Sequence, residues 1–351
     1  MYKLENHNII ELIVHHFTFD LFCFKLALAT IYYFLRFYLK PSANLCVKRD
    51  ILAALCYFDI FDYPITQLEI SQFIRNAYRL EEIAAGLHSL TVEQWIYKFG
   101  DLYTLQNNYD VIARRKKGNA KARQMLETAQ KIAAIISSFP FIKGVGVSGS
   151  LSKNFADIDA DIDFFIITEK NKLWLARTIL MAFRRLTILF KKEHWLCLNY
   201  FIDEKMLEIE EKNIYTATEV ATLLPFRGIK TFQKFFKENQ WTQTYLPNHV
   251  LRVSYVEETS NPILKKFVEF VFRNQMGNFM DSFFMRWTGS RFNKRVQRGK
   301  ENSKGYLMDL KISKHYAKHN PDQLQKKITE TYEKKIVNMF RLYESNAKTV
   351  F

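Results

Sequence analysis

The spacing of apolar residues changes period several times along the chain, and each change predicts an element. Residues 12–39 are the most apolar and aromatic stretch, "FTFDLFCFKLALATIYYFLRFYL" from residue 17 onward, interrupted by Asp20, Lys25 and Arg36. Its longest charge-free run is ten residues, 26–35, well short of the roughly 20 that a bilayer-spanning helix needs. Nor does the stretch have the layout of a cleaved leader. Two readings stand: a helix docked in a core or oligomer contact, or a helix lying on a membrane surface. Pro41 and Ser42 end it.

Helical period resumes over residues 49–58, and "FDYPITQLE" then supplies a proline turn with Thr66 and Glu69 three apart, the spacing of a capping box. A third helix is predicted near residues 80–90. Strict alternation follows in "QWIYKFGDLYTLQ", giving strands 95–99 and 102–106 about the turn pair Gly100 and Asp101. Helix, helix, helix, hairpin is the order of a winged helix-turn-helix, whose third helix reads the major groove. That helix carries Glu81 and Glu82 and few donors, poor equipment for phosphates, so packing or protein contact competes with DNA binding.

A long helix is predicted over 116–137. Around its start, "ARRKKGNAKAR" gathers Arg114, Arg115, Lys116, Lys117, Lys121 and Arg123. A solvated face and a contact to phosphate both account for such a run.

Chemistry enters at "SGSLSKNFADIDADIDFFIIT", residues 148–168. An apolar strand over 141–147 runs into Gly149 and Ser150, where glycine lets backbone approach a ligand closely. A helical turn after Ser150 would offer free N–H groups and a hydroxyl to phosphate. Ten residues later, Asp161 and Asp163 are two apart at the head of an apolar strand and so share a face, while Ile162 and Phe164 turn into the core. Side by side the carboxylates repel; a hard divalent cation such as Mg²⁺, with substrate phosphates completing its shell, makes the pair favourable. Asp157 and Asp159 have the same spacing, but Ala160 follows them and no apolar strand backs them.

Composition narrows the partners. At 48% hydrophobic residues over 351 positions, the chain has material for several cores and is not a disordered tail. Its 51 Lys and Arg against 36 Asp and Glu, a formal charge of +15, favour polyanions: nucleic acid, nucleotides or an anionic membrane. The four cysteines, Cys23, Cys46, Cys56 and Cys197, show no C-x-x-C spacing, which points away from zinc ribbons and disulfide frameworks and toward a reducing, cytoplasmic setting.

The combination "VSGS" (147–150), a spacer of about ten, then "DIDFFII" (161–167) resembles the nucleotidyltransferase superfamily of DNA polymerase beta, tRNA CCA-adding enzymes and aminoglycoside nucleotidyltransferases. The layout is also similar to a bacterial group in which a winged-helix-like segment with "YFDIFDYP" precedes this domain, and "LCLNYFI" and "YTATEVATLLPFRG" follow it. The resemblance implies an α/β (α+β) chain with a small mixed-sheet domain between a winged-helix-like unit and a C-terminal helical region. Its expected boundaries are 1–45, 46–115, 116–215 and 216–351.

By that resemblance Gly149 and Ser150 bind the triphosphate, and Asp161 and Asp163 hold Mg²⁺ or Mn²⁺. A nucleoside monophosphate, AMP from ATP foremost, passes to an acceptor that the sequence does not identify. The superfamily's third carboxylate, on a neighbouring strand, is expected at Asp203, because the strand "WLCLNYFID" offers Asn199 in its middle and Asp203 at its end. Lys170, Lys172 and Arg177 are candidates to neutralise phosphate. His315 and His319 form an i, i+4 pair without a third ligand.

The C-terminal part reads as mainly helical, its aromatic residues at three and four spacing predicting core. "RWTGSRFNKRVQRGKENSK", with seven basic residues and one acid, is the best polyanion contact, nucleic acid included. The competing functional reading is a non-catalytic regulatory or nucleic-acid-binding protein that keeps the fold.

Overall fold

A computed structural model describes residues 43–188, 197–252, 256–299, 310–319 and 321–349. The apolar stretch over 12–39, and the oligomer or membrane helix expected there, lie outside them. Chain contacts divide the protein after Arg49 into units 1–49 and 50–351, and the account below concerns the second.

Helix α1 (Ala43–Asp59) leads to the proline turn, and β1 (Ile65–Thr66) runs directly into α2 (Gln67–Phe73). The capping box is present: the Thr66 hydroxyl accepts from the Glu69 N–H at 3.2 Å, and Glu69 accepts from the Thr66 N–H at 2.7 Å. Helix α3 (Leu80–Val92) precedes the hairpin of β2 (Tyr97–Phe99) and β3 (Leu102–Thr104). With β1 they form a three-stranded antiparallel sheet in the order β1-β3-β2. Helices and hairpin thus follow in the expected order.

The long helix α4 (Tyr109–Ser137) starts seven residues before its predicted position, since Asn108 caps it by accepting from the Asp110 N–H at 2.9 Å. It therefore runs straight through the expected boundary at 115/116. Half of its basic run is engaged internally. Arg115 is buried against the Tyr63 ring and bonds Glu69 and the Pro64 carbonyl. Arg114 pairs with Asp157 at 2.7 Å, and Lys121 donates to the Asp157 and Ile158 carbonyls. Lys116, Lys117 and Arg123 remain exposed.

The elements that follow are β4 (Ile142–Val147), α5 (Gly149–Ser152), β5 (Asp163–Thr168), α6 (Leu173–Ile188), β6 (Cys197–Asp203), α7 (Ile214–Ala221), β7 (Leu224–Arg227) and α8 (Ile229–Glu238). A 3-10 turn, Gln240–Thr244, comes before α9 (Ile263–Phe272), α10 (Gln275–Gln297), β8 (Leu310–Ile312), β9 (Tyr316–His319) and α11 (Pro321–Thr349). The main sheet has six strands, β7-β4-β5-β6-β9-β8, in which β5 and β6 are parallel and the other neighbours antiparallel.

Both faces of this sheet are covered, which is why "FFII" shows no alternation. Phe164 and Ile166 join Ile132 and Ile136 of α4 and Trp174 and Leu180 of α6 on one face. Phe165 and Ile167 join Phe232, Phe235 and Phe236 of α8 on the other. Three of the six strands, β7, β8 and β9, come from the region expected to be helical; their four residues or fewer are too short for period-2 alternation to show. The expected boundary at 215/216 falls inside α7. The molecule is mixed α and β, as expected.

Candidate functional site

Strand ends converge on one edge of the six-stranded sheet. β4 arrives there with its C-terminal end and β5, β6 and β7 depart from it, because Val147 pairs with Phe164 and Leu224, and Asp163 pairs with Cys197. Here the chain turns at Ser148, whose N–H donates to the Asp163 carbonyl at 2.9 Å. Gly149 follows with φ +73°, a left-handed conformation that disfavours any L side chain. A Cβ at Gly149 would stand 3.0 Å from Asp163 Oδ2. The glycine is therefore required twice, by its dihedral and by the carboxylate pressed against it. Ser150 is exposed beside it.

Asp161 lies just outside β5 and is exposed, Ile162 is buried, Asp163 is half-buried and Phe164 is buried. The expected alternation holds at the head of the strand. Both carboxylates bear on the Cys197 thiol: burial foremost pushes its pKa up, followed by the charge and hydrogen bond of Asp163 and then by the charge of Asp161, while Arg184 acts in the opposite direction. Asp163 thus lies beside Cys197 across the β5–β6 ladder, with exposed Asp161 two residues ahead of it. Asp157, weighed as an alternative ligand, is tied to Arg114, and Asp159 stays exposed.

Asp203 is not part of this group, which corrects the expectation of a third carboxylate there. It pairs with Thr168 at the opposite end of the β5–β6 ladder, five steps or about 17 Å from Asp163 at strand rise. Fully buried, it accepts from the Asn171 N–H at 2.8 Å, the Lys205 N–H at 3.0 Å and His315 Nδ1 at 2.8 Å. The residue beside Asp163 on β6 is Cys197, not an acid.

Lys170 and Lys172 follow β5 and so stand at that far end as well; Lys172 is buried and donates to Asn278. Arg177 is buried between the Trp174 and Phe201 rings, at 5.6 and 5.8 Å. Burial first, then Arg184, lowers its pKa to about 10. None of the three faces the corner; Arg184, a turn from the end of α6, bears electrostatically on Cys197. The histidine pair is not on a helix: His319 closes β9, and His315 precedes it on the Asp203 carboxylate.

Three further residues complete the corner. Glu219 of α7 accepts from the Gly149 N–H at 3.3 Å and from Lys153 Nζ at 2.7 Å, and Lys153 also donates to the Gly149 carbonyl at 3.0 Å. Tyr215 stands one turn earlier on α7, its hydroxyl pushed well up by burial, then by Glu219, Tyr57 and Asp163. The Gly149 N–H, expected to meet phosphate, thus already holds an internal anion. "YTATEVATLLPFRG" contains both α7 residues, but without regular spacing to any partner nothing in the sequence singles them out.

Among the described residues no group of three His, Cys, Asp or Glu is placed to hold a metal. Asp161 and Asp163, two residues apart at the head of β5, still supply hard oxygen donors of the kind Mg²⁺ takes alongside substrate phosphates. Comparison with family models, curated proteins and solved structures returned no match. The functional reading therefore stands on the chain's own residues.

Proposed function

We propose that the protein is a nucleotidyltransferase that moves a nucleoside monophosphate from a nucleoside triphosphate to an acceptor and releases pyrophosphate. One observation carries the reading: a Gly-Ser corner closed directly on Asp163, the second carboxylate of the Asp-x-Asp motif, so tightly that a Cβ at Gly149 would stand 3.0 Å from Asp163 Oδ2. A corner without a Cβ lets the backbone close on the Asp163 carboxylate, so that a cation held there would lie within reach of a phosphate bound at the corner. Asp161 and Asp163 would hold Mg²⁺ or Mn²⁺, which when bound neutralises phosphate charge and favours departure of pyrophosphate.

The chain's own groups do the rest. Lys153 supplies positive charge at the Gly149 corner, and Arg184 acts on Cys197 beside Asp163. Entry of a triphosphate requires Glu219 to release the Gly149 N–H, upon which Lys153 exchanges the Glu219 carboxylate for phosphate. Positioning and charge compensation supply most of the rate in such transfers, so a site without a third strand acid is compatible with turnover.

The second reading is a nucleotide-binding or regulatory protein without turnover. It is favoured by Cys197 at the β6 position beside Asp163. Incubation with each labelled nucleoside triphosphate and Mg²⁺ or Mn²⁺ decides between the two. Pyrophosphate release is expected from the wild type, with a drop of at least about 100-fold in the Asp161→Ala, Asp163→Ala variant. Saturable nucleotide binding without release would establish the second reading.

A further inference from the structure

Helices α9 and α10 carry large apolar side chains outward as well as inward. Aromatic residues at three and four spacing predict core, yet Ile263, Leu264, Phe267 and Phe270 of α9 are 63–87% exposed. Met276, Phe279, Phe283 and Trp287 of α10 are 43–70% exposed. Toward the core they turn Val268, Phe272, Phe284, Met285 and Phe292, and between these they bury charged groups. Lys265 donates to the carbonyls of Ser137, Ile142 and Ser260 at 2.8–3.1 Å. Glu269 accepts from the Phe141 N–H at 2.7 Å, and Asp281 from the Leu175 N–H at 2.9 Å.

These buried groups fix which faces turn outward, so the apolar exposure is built into the docking of the helices. On each helix the residues follow one stripe, 263/267/270 and 276/279/283/287. Eight large apolar side chains on two joined helices are far more than the scattered exposure of an ordinary surface.

Charge selects what covers them. From Ile263 to Gly299 the only acids are Glu269 and Asp281, both buried. Lys266, Arg273, Arg286, Arg291, Lys294 and Arg298 are exposed on the same helix pair. A second copy of the chain would bring like charges together, and the whole protein already carries +15.

We infer that the α9–α10 face docks on an anionic lipid bilayer. The phenylalanines enter the boundary between headgroups and acyl chains, and the basic residues meet the headgroups. The inference is independent of the nucleotidyltransferase reading and of the apolar residues 12–39.

The test is co-flotation of the full-length protein with vesicles of phosphatidylcholine alone or with 30% phosphatidylserine (~30 mol%). Retention is expected on the anionic vesicles only, weakening as salt rises. Combined Phe267→Ser, Phe270→Ser, Phe279→Ser and Phe283→Ser changes are expected to reduce it by about tenfold or more. A second variant, Arg286→Glu with Arg291→Glu and Lys294→Glu, leaves the apolar stripe intact and is expected to lose retention likewise. Both alter exposed side chains, and matching thermal unfolding confirms that they fold. Absence of retention by the wild type overturns the inference, as does undiminished retention by both variants, which would shift the contact to residues 12–39. A dimer that dissolves in the serine variant, without vesicle binding by the wild type, overturns it in favour of a second copy.

Discussion

Gly149 concentrates the logic of the site in one residue. Its φ of +73° and the 3.0 Å that would separate an added Cβ from Asp163 Oδ2 mean that any side chain strains the backbone and pushes on the carboxylate together. Gly149→Ala is expected to lower unfolding free energy by about 1–2 kcal/mol, the penalty of a left-handed L residue, and to weaken nucleotide binding beyond that loss. Urea denaturation beside nucleotide titration separates the two effects; unchanged stability would mean that the corner relaxes freely. Glu219 shows the converse at the same scale: it touches the Gly149 N–H although 70 positions separate them in the chain.

Among the elements, Asp203 ties three together rather than serving the corner. It ends β6, takes the Asn171 N–H from the turn after β5, and holds His315 ahead of β9. Removing one member of a buried, charge-assisted set leaves its partners unsatisfied, so Asp203→Ala is expected to cost about 3 kcal/mol or more of stability. Under conditions where the variant stays folded, any pyrophosphate release is expected to change little, in contrast to the loss in the Asp161 and Asp163 variant. A collapse of turnover with stability intact would restore Asp203 to the chemistry.

The whole molecule gathers cations from distant elements, and this sets its behaviour in acid. His319 of β9 stands among Arg177 and Arg184 of α6 and Arg295 of α10; burial first, then these charges, lowers its pKa to about 3. An unfolded histidine takes its proton near pH 6.5, so the folded state is the poorer proton binder between those values. Stability is therefore whole above about pH 6.5 and falls as the pH drops toward about 3. Comparing wild type with His319→Gln cancels other titrating groups, among them Asp281, whose raised pKa of about 6 acts oppositely. Urea midpoints at pH 7 and pH 5 are expected to fall further in the wild type; equal falls would show that His319 escapes the arginines on protonation.

The local order was legible from residues alone wherever short-range physics dictates it: the Thr66–Glu69 cap, the hairpin about Gly100, and the alternation that buries Ile162 and Phe164 on either side of Asp163. The Asp161–Asp163 pair and the Gly149 corner belong to this class, because strand period and glycine's φ freedom act over a few residues. Asp203, the last residue of "LCLNYFID", went to the far end of the sheet because β5 and β6 are parallel, which places Cys197 beside Asp163. Strand direction is a property of how the crossover helix packs, and no local pattern carries it. The same holds for Glu219, brought to Gly149 by the packing of α7, and for α9 and α10, whose helical period was plain. Which face turned inward was decided by buried partners for Lys265, Glu269 and Asp281, and a charged group finds those only after the chain has closed around it.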